Sequence, residues 1–154
     1  MRLYLVQHGV AASKETDPQR PLTNEGINQT QKIAEFIKPL NLSVEYLWHS
    51  EKKRAIQTAD ILSEVVKVNK ERIARSDIDP NDDVSPIADE LFAKEGDVVI
   101  VGHLPFLSKL ASLILADSED INVIEFHKSG IVCLQRTEQK VFKADWIITP
   151  QVIS

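Results

Sequence analysis

The sequence predicts an α/β fold, a three-layer α/β/α sandwich with a mostly parallel sheet and antiparallel strands at its C-terminal edge. Three observations carry that prediction. Two short apolar runs, Leu3-Tyr4-Leu5-Val6 and Val98-Val99-Ile100-Val101, are continuous rather than alternating, as in strands covered on both faces. Stretches of helical periodicity alternate with such runs through the first two thirds of the chain, the order that builds a parallel sheet. The last third reads instead as strands joined by turns. At 154 residues without internal repeats, the chain is expected to form one domain over residues 1–154, with a core that needs neither disulfide nor metal.

The first strand is expected over residues 3–6, followed by a polar loop over 11–20. Thr23 is an N-cap for a helix over 24–37 with Ile27, Ile33, Ala34 and Ile37 on one face, and Pro39 ends it. A strand over 44–48 leads to a helix that begins after Ser50, a second N-cap candidate, and runs to Val66. Its inner face is Ala55, Thr58, Ala59, Leu62, Val65 and Val66. A short strand over 71–75 opens into an acidic loop over 77–83, interrupted by Pro80. A helix over 85–94 and a strand over 97–101 follow. Pro105 suits the first turn of the next helix, where its missing N–H has no partner to lose, and Leu107, Leu110, Ala111 and Ile114 give that helix its stripe. Three strands are expected over 122–126, 129–136 and 141–148.

Composition narrows the function. The chain is 43% hydrophobic and 27% charged, as in ordinary globular proteins, and carries a net charge of -5. That balance, with no basic stripe and no interleaved aromatics, argues against nucleic acid as a partner. An anionic ligand would have to be held by local charge in a cleft, against the overall field. The one cysteine, Cys133, lies inside the apolar run Ile131-Val132-Cys133-Leu134, which suits a reducing compartment and not a catalytic thiol. No signal, transit or membrane-spanning segment is read, so the expectation is a cytoplasmic protein without a membrane partner.

Ligands in open α/β sheets bind beyond the carboxyl ends of the strands. Gln7-His8-Gly9 and Gly102-His103-Leu104-Pro105 each put a histidine at such an end. One histidine there is ordinarily structural; two in matched positions point to a site. Arg20 closes the loop leaving the first strand, and Arg54 lies in the first turn of the second helix, both on the same side of the sheet. Guanidinium groups recognise phosphate bidentately, and helix N-termini add free N–H groups. Two arginines and two histidines around one crevice make a site for a phosphoryl group. Gly9 allows a sharp turn after the strand and the close approach of a phosphate. A neutral His8 with one nitrogen held by a carbonyl would present the other as a nucleophile, and His103, protonated by a bound phosphate, would stabilise charge. A metal centre is the competing chemistry, but neither His-x-x-x-His nor Cys-x-x-Cys spacing occurs, so no metal or other cofactor is expected. His49 is placed at the crevice rim and His127 in a turn. Asp77, Asp79, Asp82 and Asp83 read as a solvated loop from which one could reach in as a general acid.

These residues match a known pattern. Gln7-His8-Gly9 resembles the Arg-His-Gly signature of the histidine phosphatase superfamily, and Arg20-Pro21-Leu22-Thr23 resembles its Arg-Pro-Leu-Thr segment. The stretch from Ser50 through Arg54-Ala55 to Gln57-Thr58-Ala59 is similar to its Ser-Pro-x-x-Arg-Ala-x-Gln-Thr-Ala segment, and Gly102-His103-Leu104-Pro105 supplies the second histidine. The short chain and the Gly-His-Leu-Pro form resemble the SixA-like phosphohistidine phosphatase branch. The resemblance implies that His8 takes the phosphoryl group, that Arg20, Arg54 and His103 complete the pocket, and that water releases phosphate without a metal. It also implies a pocket without the insertion that caps the substrate and carries the general acid in phosphoglycerate mutases. A phosphorylated protein, such as a histidine-containing phosphotransfer domain, is then the expected partner. Two positions depart from the pattern. Glu51 replaces a proline, which a helix start tolerates. Gln7 replaces an arginine, so a neutral donor stands where the family has a charged one, and a rate loss of about 10-fold is in range. A phosphatase for small phosphomonoesters and a catalytically weak phosphoprotein-binding module are therefore the alternatives.

Overall fold

A computed structural model describes residues 1–153. Along them run β1 (Arg2–Gln7), α1 (Asn24–Ile37), β2 (Ser43–Ser50), α2 (Lys53–Leu62), β3 (Lys67–Arg75) and α3 (Ser85–Ala93). They continue with β4 (Val98–Gly102), α4 (Phe106–Ala116), β5 (Ile131–Arg136) and β6 (Phe142–Ile148). The strands form one six-stranded sheet in the order β3-β2-β4-β1-β5-β6. The first four are parallel, β5 runs antiparallel to β1, and β6 runs antiparallel to β5. Because side chains alternate along a strand, each continuous apolar run feeds two cores. Leu3, Leu5, Val98 and Ile100 pack with α3 and α4 on one face. Tyr4, Val6, Val99 and Val101 pack with α1 and α2 on the other. This is the expected three-layer sandwich.

Local differences have local causes. Thr23 caps α1 as expected, its hydroxyl accepting from the Gly26 N–H at 3.0 Å. α2, however, stops at Leu62 rather than Val66. Ser63 turns its hydroxyl back to the Ala59 carbonyl at 2.7 Å, and two β-branched valines follow, so the chain turns into a longer β3 than the sequence suggested. Ser50 is not the N-cap of α2; it ends β2, and Lys52 occupies the cap position without a side-chain bond. Pro105 stands immediately before α4, and the first turn bonds back past it, from the Leu107 N–H to the His103 carbonyl at 2.9 Å.

The expected strand over 122–126 does not form. Its apolar residues are used differently: Phe126 inserts into the α3–α4 core and Ile124 packs against it, while Val123 stays exposed. β5 and β6 already occupy that edge of the sheet, and both start late. Ser129 and Lys140 sit at φ 65° and 63°, outside strand geometry.

Candidate active site

Register builds the site. β1 and β4 pair from Leu3 with Val98 through Gln7 with Gly102, so the next residue on each strand is a histidine. The rings of His8 and His103 are tilted at 57° with centroids 5.0 Å apart. Both are buried, at 8% and 1% exposure. The Gly9 carbonyl lies 2.7 Å from His8 Nδ1. A carbonyl only accepts, so Nδ1 carries the proton and Nε2 keeps its lone pair. β2 flanks β4 on the other side, and its last residue, Ser50, brings Oγ within 2.7 Å of His103 Nε2.

Gly9 has an ordinary negative-φ backbone, so its glycine answers to space rather than to a left-handed turn. A side chain there would meet Ser129 Oγ at 2.9 Å, Thr30 Oγ1 at 3.0 Å and the Gly26 carbonyl at 3.2 Å. The Gly9 N–H donates to Thr58 Oγ1 at 3.0 Å, and Thr58 in turn donates to the Arg54 carbonyl at 2.8 Å. With its N–H and its carbonyl both engaged, Gly9 ties the loop after His8 to α2 instead of presenting a free donor. Gln57 makes a second tie, its Oε1 accepting from the Leu22 N–H at 2.7 Å beside Arg20. From the far edge, the Ser129 N–H donates to the Gln7 carbonyl at 2.9 Å, and Ser129 Oγ shares a 2.8 Å bond with Thr30.

Arg20 adopts φ 48°, an unfavourable conformation for a non-glycine residue, and its Nε donates to the Ala12 carbonyl at 3.0 Å. That bond leaves the two terminal nitrogens for a ligand. Arg54 is the second residue of α2. Its charge is destabilised first by burial and then by Arg20, with Asp79 opposing, so its pKa lies below the ordinary guanidinium value. Burial is also the main cause that pushes His8 down to about 4; the Gly9 bond opposes it, and Arg54, Lys128 and Arg20 add to it. His103 is pushed down to about 3 by burial first, then by His8, Arg54, Lys52 and Arg20. Both imidazoles are neutral at pH 7 until an anion enters. The protonated His103 expected from sequence therefore requires the phosphate to be bound.

Among the described residues, four buried side-chain polar atoms lack a partner, and three are here: Gln7 Oε1, Arg54 Nε and His103 Nδ1. Buried polar groups are nearly always paired, so this concentration marks a place awaiting a ligand. Arg54 Nε–H can donate to an oxyanion directly, and His103 Nδ1 can do so when protonated. The fourth atom, Trp48 Nε1, belongs to a ring stacked under Arg75 at 4.3 Å. Outside the buried floor, an open cleft of about 560 Å³ is bordered by Lys14, Arg20, Lys52, Lys53 and Arg54, with Glu51 the one carboxylate.

The remaining candidates fall elsewhere. His49 stays inside β2, paired with Val101 and Ala74, with Nδ1 bonded to the Ser50 carbonyl at 2.9 Å. The His127 carbonyl closes the turn expected there, accepting from Gly130 at 2.9 Å. Asp77 chelates Arg75, Asp82 caps the Asp79 N–H and Asp83 caps Ser85, leaving Asp79 as the aspartate whose charge reaches Arg54. Among the described residues, no group of three or more His, Cys, Asp or Glu side chains is placed to hold a metal ion. Sequence reading passed over Ser50 as a partner of His103, Thr58, Gln57 and Lys128. Thr58 did leave a trace: a hydroxyl on an otherwise apolar helix face, four residues after Arg54.

Known proteins resemble this chain in sequence and in fold. A sequence profile of the histidine phosphatase superfamily (branch 1) matches residues 3–77. An uncharacterized protein of Picosynechococcus is 30% identical over 142 residues, covering 88% of this chain and 85% of that protein. Phosphohistidine phosphatase SixA of Escherichia coli is 26% identical over 117 residues, 73% of each chain. Among solved structures, a protein histidine phosphatase SixA complexed with tungstate superposes at a TM-score of 0.85, with 22% identity and 98% of each chain covered. The alpha-ribazole phosphatase of Shigella flexneri superposes at 0.78, with 15% identity and 97% of each chain covered. At such identities these two structures speak for the fold alone.

Proposed function

This chain belongs to the histidine phosphatase superfamily, in its SixA-like branch, and from that premise we propose that it hydrolyses phosphohistidine carried on a protein. The observation that carries the reading is the state of His8. It is neutral, its Nδ1–H is spent on the Gly9 carbonyl, and its Nε2 lone pair is left free beside His103 and two arginines. In the first step Nε2 attacks phosphorus; the substrate's P–N bond breaks, and the departing imidazole keeps the electron pair and takes a proton from water. In the second, the hydroxide so left attacks the phosphorus on His8, the P–Nε2 bond breaks with its electron pair returning to Nε2, and hydrogen phosphate leaves with His8 neutral and still protonated at Nδ1. Arg20 and Arg54 balance the charge on the transferring oxygens, and His103 takes up a proton as the anion arrives. Gln7 supplies no charge where a third guanidinium would, and because its unpartnered atom is Oε1, its amide would have to turn to donate to the phosphoryl oxygens. An imidazole is a better leaving group than an alkoxide, so a site without a clearly placed general acid suits a phosphoramidate.

The partner in this reading is a phosphorylated protein such as a histidine-containing phosphotransfer domain, met in the cytoplasm. Tungstate, a tetrahedral oxyanion of phosphate's shape, should inhibit competitively, and a strong chelator should leave the rate unchanged. The fold likeness to an alpha-ribazole phosphatase favours, as the second reading, a small phosphomonoester substrate. Rates on a phosphorylated histidine-containing domain and on sugar phosphates separate the two; a large preference for the sugars would establish the second. Bound phosphoprotein with no turnover at all would instead make the chain the binding module that Gln7 raises as an alternative.

A further inference from the structure

Around the open cleft, five cations meet one carboxylate, in a chain whose net charge is -5. Among the described residues, every ion pair lies elsewhere: Arg2 with Asp145, Arg72 with Asp60, Arg75 with Asp77 and Glu90, and Lys94 with Glu90. The cleft cations pair with no acid. Lys53 Nζ donates to a neutral group, Gln19 Oε1, at 3.2 Å.

Three of the five sit where folding alone would not put them. Lys52, Lys53 and Arg54 occupy the cap and the first two positions of α2, at the positive end of its dipole, with no acidic residue in the first turn and no side-chain cap. α1 follows the stabilising rule, with Glu25 in its first turn and Thr23 as cap. A local rule broken without a structural gain is the signature of a functional surface. Arg20 and Arg54 are absorbed by the phosphoryl group. Lys14, Lys52 and Lys53 are not, and a ligand the size of phosphate leaves them idle.

We propose that Lys14, Lys52 and Lys53 form a docking rim for the acidic surface of the protein that carries the phosphoryl group. The proposal deepens the reading above, since it assumes that the substrate is a protein. The rim selects partners whose phosphorylated side chain is flanked by Asp or Glu, and it steers them against the repulsion of the enzyme's own negative field. Lys52 links rim and floor, because its charge also bears on His103.

The test uses two labelled peptides, each with a central non-hydrolysable phosphonate analogue of phosphohistidine, flanked by glutamates in one and by glutamines in the other. Fluorescence anisotropy should show the glutamate peptide binding about 10-fold more tightly at low salt, the yield of three exposed charge pairs. The preference should shrink as ionic strength rises, since screening acts within about 10 Å at 0.1 M. It should vanish in the triple variant Lys14→Ala, Lys52→Ala, Lys53→Ala and persist in Lys32→Ala, Lys67→Ala, Lys109→Ala, which removes the same charge elsewhere. Equal binding of the two peptides, or a preference that survives the first triple variant, overturns the rim. So does inorganic triphosphate binding the wild type more tightly than the glutamate peptide, which would make the cleft a small-polyanion site. None of these readouts requires turnover, so a failed phosphohistidine assay would count against the proposed function and leave this test intact. Where that assay succeeds, free phosphoramidate should be hydrolysed equally by wild type and by Lys14→Ala, Lys53→Ala, which leaves Lys52 and its charge beside His103 in place.

Discussion

The ends of β1 and β2, on either side of β4, hold two histidines that look alike in isolation. His8 and His49 are both buried, at 8% and 5% exposure, and each aims Nδ1 at the carbonyl of the following residue, at 2.7 and 2.9 Å. What differs is the company. His49 is still within the sheet, hydrogen-bonded strands on both sides, and its role is to finish β2. His8 lies one residue past β1, facing His103 and within the field of Arg54, Lys128 and Arg20. A carbonyl-held imidazole is thus a common way to satisfy a buried ring. In the proposed mechanism it serves as a nucleophile only where the strand has ended and cations have gathered.

The hardest test of that contrast is to remove each ring. His8→Ala should abolish turnover, by about 1,000-fold or more, and eliminate the acid-labile phosphoenzyme trapped with a labelled donor. His49→Asn should keep kcat within a few-fold while lowering Tm. Full hydrolysis by His8→Ala would end the covalent mechanism. Arg54→Ala comes next, with an expected loss of about 100-fold or more in kcat/KM, because it removes both a charge and the unpartnered Nε–H from the floor of the site.

The depressed histidines give the contrast a pH dependence. His8 must be neutral to attack, so kcat/KM should stay level on acidification through pH 6.5 and fall only as the pH approaches about 4. A fall centred near 6.5 would mean that burial does not control the ring. Stability should follow a different window. With folded values of about 4 and 3 against an ordinary 6.5, the unfolded chain binds protons first, so stability is full above 6.5 and declines as the pH drops below it. A His8→Asn, His103→Asn double variant should lose less Tm than wild type between pH 7.5 and 5.

Finer substitutions sharpen the picture. Ser50→Ala should lower kcat about 10-fold with little change in KM and leave the acid limb of His8 in place, since Ser50 holds His103 Nε2 rather than substrate or His8; Ser50→Thr should restore part of the rate. Gln7→Arg carries the smallest expected effect, parity or a gain of up to about 10-fold, because the new guanidinium would add charge where only a neutral amide now stands. A clear loss would show that the pocket has been rebuilt around glutamine.

Much of this was legible in the residues. Apolar runs of four ending in Gln-His-Gly and Gly-His-Leu-Pro announced buried strands with a histidine at each carboxyl end, because strand burial and chain reversal are written in consecutive residues. Thr23 announced α1 for the same local reason. The strand expected over 122–126 went unformed because its apolar residues serve the α3–α4 core instead, with Phe126 buried in it and Ile124 packed against it. Ser50 resembled a helix cap and proved a partner of His103 because β2 continues two residues further than its apolar run suggests and lies beside β4. Gly9 was expected to let a phosphate approach; the space around it is instead limited by Ser129 and Thr30, one of them 120 positions away in the chain. The sequence by itself determined the layers, the strand ends and the residue types that can meet a phosphoryl group, since each follows from local pattern. Only the tertiary structure decided which of two similar histidines faces a second histidine and a group of cations, that burial lowers the pKa of both of these imidazoles, and that the cleft cations lack acids, because register, burial and charge neighbours are long-range properties of the folded chain.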